Sequence, residues 1–376
     1  MLKQKHKTTK AGFALMFSRL QMSFLIIMYT SISNHVFIIP HLLTIAKRDS
    51  WICILIAYFI FTLWGLILLF ILRRLNRQKL FDWLTIRVGK AIATLVIFLF
   101  ALFLFISGLV SFYDVIQVMN IYFVPQTSLW LISAVYLLLI IPSCIKSGVK
   151  TAVYLSALFL PIVWLLGMFV AVITIPDKSY GLLLPVFFNG YEPILKGTLL
   201  VLGGSVELIV ILLLQHKLEK SFSVGQFLIL ITIIIWLTLG PTVGSLTSFG
   251  PNLASNLRFP AFEQWRLVTL GPKITHVDFL AVFQLLVGAT IKIILCFSLF
   301  MEHLEINSNR VKKMTLGFIA IIYAVISSLP VSDIIMEQFI TYNIYLNFIL
   351  FGIVVFLFIL ILCFIPQNQE KGVNSN

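Results

Sequence analysis

Charged residues are scarce in this chain of 376 residues, and their scarcity excludes most classes of soluble protein. Only 11% of the residues are charged, against about 25% in a typical soluble domain. Apolar residues make up 60% of the chain, and no polar stretch between the long apolar runs has the length of a domain. We therefore interpret residues 1–376 as one transmembrane domain, an all-α polytopic membrane protein.

Cysteine is also rare, and the sequence motifs of catalysis are missing. The four cysteines show no CxxC spacing, so the sequence predicts neither a disulfide framework nor a metal site. No Ser-His-Asp spacing and no glycine-rich phosphate loop occurs. A membrane-embedded enzyme is therefore the weakest interpretation, and we expect no cofactor.

Ten predominantly apolar runs have about the length that crosses a bilayer as a helix. The predicted spans are 18–45, 51–72, 91–116, 128–145, 149–175, 191–214, 224–248, 277–301, 314–329 and 339–365. Most of the 27 lysines and arginines lie before the first span or in every second loop. Because positively charged loops stay cytoplasmic, we predict that both termini are cytoplasmic. We therefore attribute the net charge of +13 to the basic cytoplasmic segments, and we expect no nucleic-acid partner.

Small polar residues interrupt two of the spans near their middle. The first span contains YTSISNH at 29–35, and the sixth contains GGSVE at 203–207. A charged residue such as Glu207 inside a membrane is costly and usually functional, and transporters bind substrates where helices are interrupted. The alternative is that Gly203 and Gly204 allow close helix packing and that Glu207 is a paired structural carboxylate.

The two interrupted spans occupy equivalent places in the chain. Each begins a set of five spans, so the five-helix repeats are 18–175 and 191–365. Because five is odd, the second repeat starts on the opposite side of the membrane, and we predict an inverted repeat with discontinuous helices 1 and 6. Gly240-Pro241 predicts a break in the seventh span. The amphipathic segment 258–271 predicts an interfacial helix on the outer surface.

Glu207 and Lys292 are opposite charges that we place at similar depth in the sixth and eighth spans. They form a buried pair, or they act singly, with Lys292 as a substitute for a cation or a proton carrier and Glu207 as a proton acceptor. The free amides and carbonyls at the ends of split helices could bind the carboxylate and the ammonium of an amino acid, but the sequence does not determine which ligand binds. The candidate ligand-binding residues are Ser31, Ser33, Asn34, Tyr113, Gly203, Gly204, Ser205, Glu207, Thr290 and Lys292.

The segment from the predicted interfacial helix to the eighth span resembles a known family. It contains FPAFEQWRLVTLG, a following aspartate and GATIK. The matching residues are Phe259, Pro260, Glu263, Arg266, Gly271, Asp278, Gly288 and Lys292. Pro40 and Glu207 match in the first and sixth spans. On these residues the chain resembles the endospore germination permeases, the B subunits of spore nutrient germinant receptors, which belong to the amino acid/polyamine/organocation transporter superfamily.

The resemblance implies a LeuT-like fold of ten transmembrane helices in the inner membrane of the spore. It also implies partner A and C subunits, and the sensing of a small nutrient such as an amino acid that triggers germination. Two other interpretations remain open. The chain is an H⁺- or Na⁺-coupled amino-acid transporter, or it is a structural membrane scaffold with a degenerate pocket.

The charge distribution predicts a topology that fusion reporters test. Alkaline phosphatase fused after Lys178 is expected to be active, because this loop is predicted to lie outside, and inactive when fused after Arg77 in the basic loop. Green fluorescent protein at the C-terminus is expected to fluoresce. The reverse pattern of phosphatase activity would contradict the predicted orientation.

Overall fold

A computed structural model describes residues 16–269, 277–304 and 308–364. Within these ranges 86% of the residues are helical and no strand forms beyond an isolated bridge between Phe17 and Leu218. The all-α fold class is therefore confirmed, and the long apolar helices are those of a polytopic membrane protein.

The described ranges contain fourteen α-helices, numbered along the chain. They are α1 (Arg19–Ile32), α2 (Ile38–Ala46), α3 (Ser50–Leu75), α4 (Leu80–Val88), α5 (Lys90–Tyr122), α6 (Leu129–Lys146), α7 (Val149–Ile173), α8 (Tyr191–Ser205), α9 (Ile211–Leu214), α10 (Val224–Ala254), α11 (Pro260–Arg266), α12 (Phe279–His303), α13 (Asn309–Ser328) and α14 (Asp333–Phe364).

Nine helical segments of the described chain are long and apolar enough to cross a membrane. The first of them, Arg19–Leu75, has 57 residues, which is about 85 Å of helix and nearly three times the thickness of the hydrocarbon core. A 3₁₀ turn at Lys47–Asp49 interrupts it, and Lys47 adopts a positive φ of 44°. This one segment therefore has the length of the two spans predicted at 18–45 and 51–72.

The interruption predicted in the first span is a π-helical segment, Ser33–Phe37, between α1 and α2. The amide of Ile38 donates to the carbonyl of Ser33 five residues earlier, which is the π-helical spacing. Pro40 follows in the first turn of α2 and has no amide hydrogen to donate, so it favours a widened turn just before it.

The interruption in the sixth span is a 3₁₀ segment, Val206–Val210, between α8 and α9. It follows Gly203 and Gly204, which have low helix propensity. The two interruptions overlap the predicted stretches only at 33–35 and 206–207. Neither opens into extended chain, so the expectation of split helix ends is corrected to a change of helix type. A change of helix type keeps the backbone hydrogen-bonded where no water is present to replace lost partners.

Gly203 and Gly204 also bring α8 close to its neighbours. A methyl group at Gly203 would overlap the backbone carbonyl of Ile344 in α14, and one at Gly204 would overlap the side chain of Ile38 in α2. The glycines therefore do serve close packing, and they do so immediately beside the interruption.

The break predicted in the seventh span at Gly240-Pro241 is wrong. Helix α10 continues through both residues and departs from helical geometry at Gly250, where φ is 74°. Pro241 cannot donate to the carbonyl of Leu237 four residues earlier. His35 Nδ1, in the π-helical segment, lies 3.2 Å from that carbonyl oxygen and donates to it instead, so the proline is accommodated by a contact with the first span.

The amphipathic segment predicted at 258–271 contains the short helix α11, while residues 270–271 lie outside the described ranges. The apolar side chains of α11 are buried against α5, α7 and α12. Gln264 donates to the carbonyl of Pro241 at 3.0 Å, which fastens α11 to α10. Its predicted location at the outer surface of the membrane stays a prediction.

Replacing Gly203 tests the close packing of α8 against α14. Gly203→Ala is expected to lower the free energy of unfolding by about 1–3 kcal/mol, because the methyl group has no space against the Ile344 carbonyl. The control is Gly352→Ala in α14, where an added methyl group meets no atom within 4 Å. Alanine is the better helix former, so the control is expected to be neutral or stabilising. Equal melting temperatures of the two variants in one detergent would contradict the packing.

Candidate functional site

Glu207 and Lys292 form a buried ion pair between α12 and the two interruptions. The Lys292 ammonium lies 2.9 Å from both carboxylate oxygens of Glu207 and donates to Ser33 Oγ at 2.5 Å. The Lys292 side chain is fully buried, and that of Glu207 is 7% exposed. Because Ser33 begins the π-helical segment and Glu207 lies in the 3₁₀ segment, one ammonium joins both interrupted spans to α12.

Further side chains compensate for the removal of these charges from water. Ser107 in α5 donates to Glu207 Oε1 at 3.1 Å. The rings of Tyr29 and Phe37 have their centroids 5.1 and 5.6 Å from the Lys292 ammonium, within the range of cation–π attraction. A buried ion pair is retained in a fold when such additional partners satisfy both charges.

The approach of α12 to α1 depends on a glycine one turn before the lysine. A methyl group at Gly288 would crowd the side chain of Ile32, the last residue of α1. The small residue therefore lets the two helices approach closely where Lys292 must reach Ser33.

Several buried polar groups beside the ion pair have no hydrogen-bond partner within the described ranges. They are both polar atoms of the Asn34 amide and the Ser205 hydroxyl. Buried polar groups in folded proteins are normally paired, so each exception needs an explanation. Asn34 lies in the π-helical segment and Ser205 directly precedes the 3₁₀ segment, so together they offer donors and acceptors to a polar group.

A small cavity adjoins the carboxylate. It is lined by Ser33, Ser107 and Glu207, and from α14 by Asn343 and Asn347. Its volume is about 20 Å³, which is space for one or two water-sized groups. An amino acid therefore does not fit beside the ion pair in this conformation.

A second small cavity of about 30 Å³ lies on the side of α11. Its lining includes Asp114, Arg258 and Glu337, so it is rich in charged side chains. Phe37 and Ile340 line both small cavities. These two apolar side chains therefore lie between this charged cavity and the buried ion pair.

Half of the predicted ligand-binding residues come together around this site. Ser33, Glu207 and Lys292 contact one another, while Gly203 and Gly204 line the cavity beside them. Whether they bind a ligand stays a prediction.

The other predicted residues lie beside the pair or away from it. Asn34 and Ser205 are buried next to Ser33 and Glu207 in the chain without contacting Lys292. The Ser31 hydroxyl donates to a backbone carbonyl of its own helix, and the Thr290 hydroxyl pairs with that of Tyr136 at 2.9 Å. Tyr113 is buried in α5 but does not line either small cavity.

Sequence reasoning missed Ser107 and the two asparagines of α14. Ser107 lies in a long apolar run, but Ser111 and Asp114 follow it at the spacing of one helical face. Asn343 and Asn347 are spaced four apart and therefore share one face of an apolar helix. That spacing is the signal that would have added α14 to the predicted site.

The site is suited to recognising charge. It combines one ammonium, one carboxylate, hydroxyls and amides in a buried place. Across the described ranges, no group of three or more His, Cys, Asp or Glu side chains is arranged to hold a metal ion.

A family model described as "Spore germination protein" matches residues 17–334, most of the chain. The chain belongs to this spore germination permease family. A curated relative, spore germination protein XB of Bacillus anthracis, is 34% identical over 354 residues, which cover 94% of this chain and 99% of the relative. The resemblance inferred from the sequence is thus confirmed, and this spore germination permease is a multi-pass membrane protein related to germination. The matched region contains Ser33, Glu207 and Lys292.

Removing one or both charges of the pair tests its structural role. Lys292→Met leaves a buried carboxylate without its cation and is expected to lower the free energy of unfolding by about 3–5 kcal/mol. The double variant Glu207→Gln, Lys292→Met removes both charges and is expected to recover most of that loss, since a neutral pair of similar volume is often tolerated. Thermal unfolding compares the variants, and a double variant no more stable than Lys292→Met would contradict the assignment of a coupled pair.

Proposed function

We propose that this spore germination permease is a membrane subunit of a spore nutrient germinant receptor and binds a small zwitterionic nutrient, an amino acid. The ligand is held between the π-helical segment, α5, the 3₁₀ segment and α12. Binding triggers germination through A and C partner subunits in the inner membrane of the spore. Family membership supports the germination role, and the buried charge pair supports the ligand class.

The observation that carries the proposal is the Glu207–Lys292 pair with unpaired polar groups beside it. A zwitterion carries both an ammonium and a carboxylate. Its ammonium takes the place of Lys292 beside Glu207, and its carboxylate takes the place of Glu207 beside Lys292. The ligand ammonium then binds Glu207 and Ser107, and the ligand carboxylate binds Lys292 and Ser33. Because both charges remain compensated, the exchange avoids leaving an isolated ion in the membrane interior.

The small volume beside the pair requires two conformations. Phe37 and Ile340 separate the buried site from the charged cavity, so displacing them opens a route from that cavity to Glu207. A nutrient that binds the opened form shifts the population toward it, and the shift is the signal. The interrupted segments are suited to this movement because both the π-helical and the 3₁₀ turns depart from the regular α-helix.

The proposed framework for this movement is a ten-helix LeuT-like arrangement of two inverted five-helix repeats. The interruptions at Ser33–Phe37 and Val206–Val210 support it, because each lies in the first span of its half and both meet at one ammonium. The 57-residue length of Arg19–Leu75 supports counting it as two spans.

An ion-coupled amino-acid transporter is the second candidate. The Lys292 ammonium lies between a carboxylate and a hydroxyl, which is the kind of site that a coupling cation occupies. This position favours the transporter. The structural scaffold is favoured by the small volume of the cavity. Binding and transport assays separate the three.

The test uses the purified protein in nanodiscs and a panel of amino acids, each with its amino alcohol and its amide as uncharged-carboxyl analogues. At least one amino acid is expected to raise the melting temperature, since a ligand that binds the folded state stabilises it. Its amino alcohol and amide are expected to have little effect. The double variant Glu207→Gln, Lys292→Met is expected to lose the response.

The matched control is Glu192→Gln, Lys196→Met, which removes an exposed ion pair from the same span. It is expected to respond like the unaltered protein. A double variant at Glu207 and Lys292 that responds as strongly as this control would overturn the proposal. Uptake of the amino acid into proteoliposomes under an imposed ion gradient would favour the transporter instead, and a panel without any response would favour the scaffold.

A further inference from the structure

A larger cavity of about 130 Å³ lies on the other side of the first span from the ion pair. Ile32, His35 and Val36 face it from the end of α1 and the π-helical segment, whereas Ser33 and Phe37 face the small cavity beside Glu207. The remaining walls come from α5, α7, α10, α12 and the segment around α11. The π-helical segment therefore divides a polar site from a separate, larger chamber.

The chemistry of this chamber differs from that of the charged site. Of the described residues that line it, none is Asp, Glu, Lys or Arg, and most are aliphatic or aromatic. Three of its polar side chains already donate hydrogen bonds to the protein. Ser31 donates to Met28, His35 Nδ1 donates to Leu237 and Gln284 donates to Val163, all to backbone carbonyls. An ion placed there would have no opposite charge, so a zwitterion is excluded from this chamber.

The size and position of the chamber further limit the kinds of ligand that can bind there. Apolar cavities of about 150 Å³ stay dry and take up a molecule as small as benzene or xenon. Trp164 lines the chamber and is 48% exposed on α7, so the chamber reaches the surface that faces lipid. A lipid acyl chain is much longer than this volume accommodates.

We infer that this chamber is a second binding site, which takes a small uncharged apolar molecule about the size of a single aromatic ring from the bilayer. The bound molecule packs against Ile32 and Val36 on one side and against α7 and α12 on the other. It therefore stabilises the present packing of the interrupted first span. The inference does not depend on the nutrient site, since binding here involves neither Glu207 nor Lys292.

Two substitutions fill the chamber from different walls. Gly167 lines it from α7, and an added methyl group there meets no atom within 4 Å, so Gly167→Leu has space to extend. Ala281 lines it from α12, and Ala281→Leu fills the same volume without replacing a glycine. The matched control is Gly317→Leu in α13, where an added methyl group also meets open space but lies away from the chamber.

The experiment measures ¹⁹F NMR of fluorobenzene with the full-length protein in nanodiscs, against empty nanodiscs. The unaltered protein and Gly317→Leu are expected to give a protein-dependent signal and a rise in melting temperature. Gly167→Leu and Ala281→Leu are expected to reduce that signal about tenfold and to abolish the thermal shift. If one filling variant does not fold, the other makes the same prediction.

Two results would overturn the inference. One is an unaltered protein without a protein-dependent signal. The other is a signal that both filling variants retain, because fluorobenzene then binds elsewhere. If no nutrient gives a response but the filling variants still lose the fluorobenzene signal, the result would count against the proposed function and would support this second site.

Discussion

The attraction between the Lys292 ammonium and the Glu207 carboxylate is the interaction on which the rest of the site depends. Both groups are buried among apolar helices, where an unpaired charge is costly. The pair therefore holds α12 against the 3₁₀ segment, and the contact with Ser33 adds the π-helical segment. Three elements far apart in the chain are fixed by one charged group, and a ligand that competes for this group acts on all three.

Backbone hydrogen bonding explains the form that the interruptions take. In a membrane, an unpaired amide or carbonyl has no water to replace its partner. The first span therefore widens to a π-helical turn before Pro40, and the sixth tightens to a 3₁₀ turn after its glycines. The same constraint accounts for His35, which supplies the hydrogen bond that Pro241 cannot give to Leu237. Polar residues in these spans serve the backbone as well as the site.

The sequence was sufficient to locate the long apolar helices and to place Glu207 and Lys292 inside them, because apolar runs and isolated charges in them have few interpretations. Predicted spans such as 149–175 and 224–248 begin at the first residues of the corresponding helices, α7 and α10. The directions of side chains were harder to predict. Thr290 and Lys292 are two positions apart, so they point to different sides of α12 and only one of them reaches Glu207. Ser107 shares a polar face of α5 with Ser111 and Asp114, but this local pattern does not specify Glu207 as its partner.

A structure with the nutrient bound tests the central claim most directly, through the distance between Lys292 Nζ and the carboxylate of Glu207. That distance is 2.9 Å in the present structure. We predict that it increases beyond about 4 Å, the limit of an ion pair, with the ligand carboxylate at Lys292 and the ligand ammonium at Glu207. A bound amino acid located elsewhere, with the 2.9 Å contact unchanged, would contradict the account.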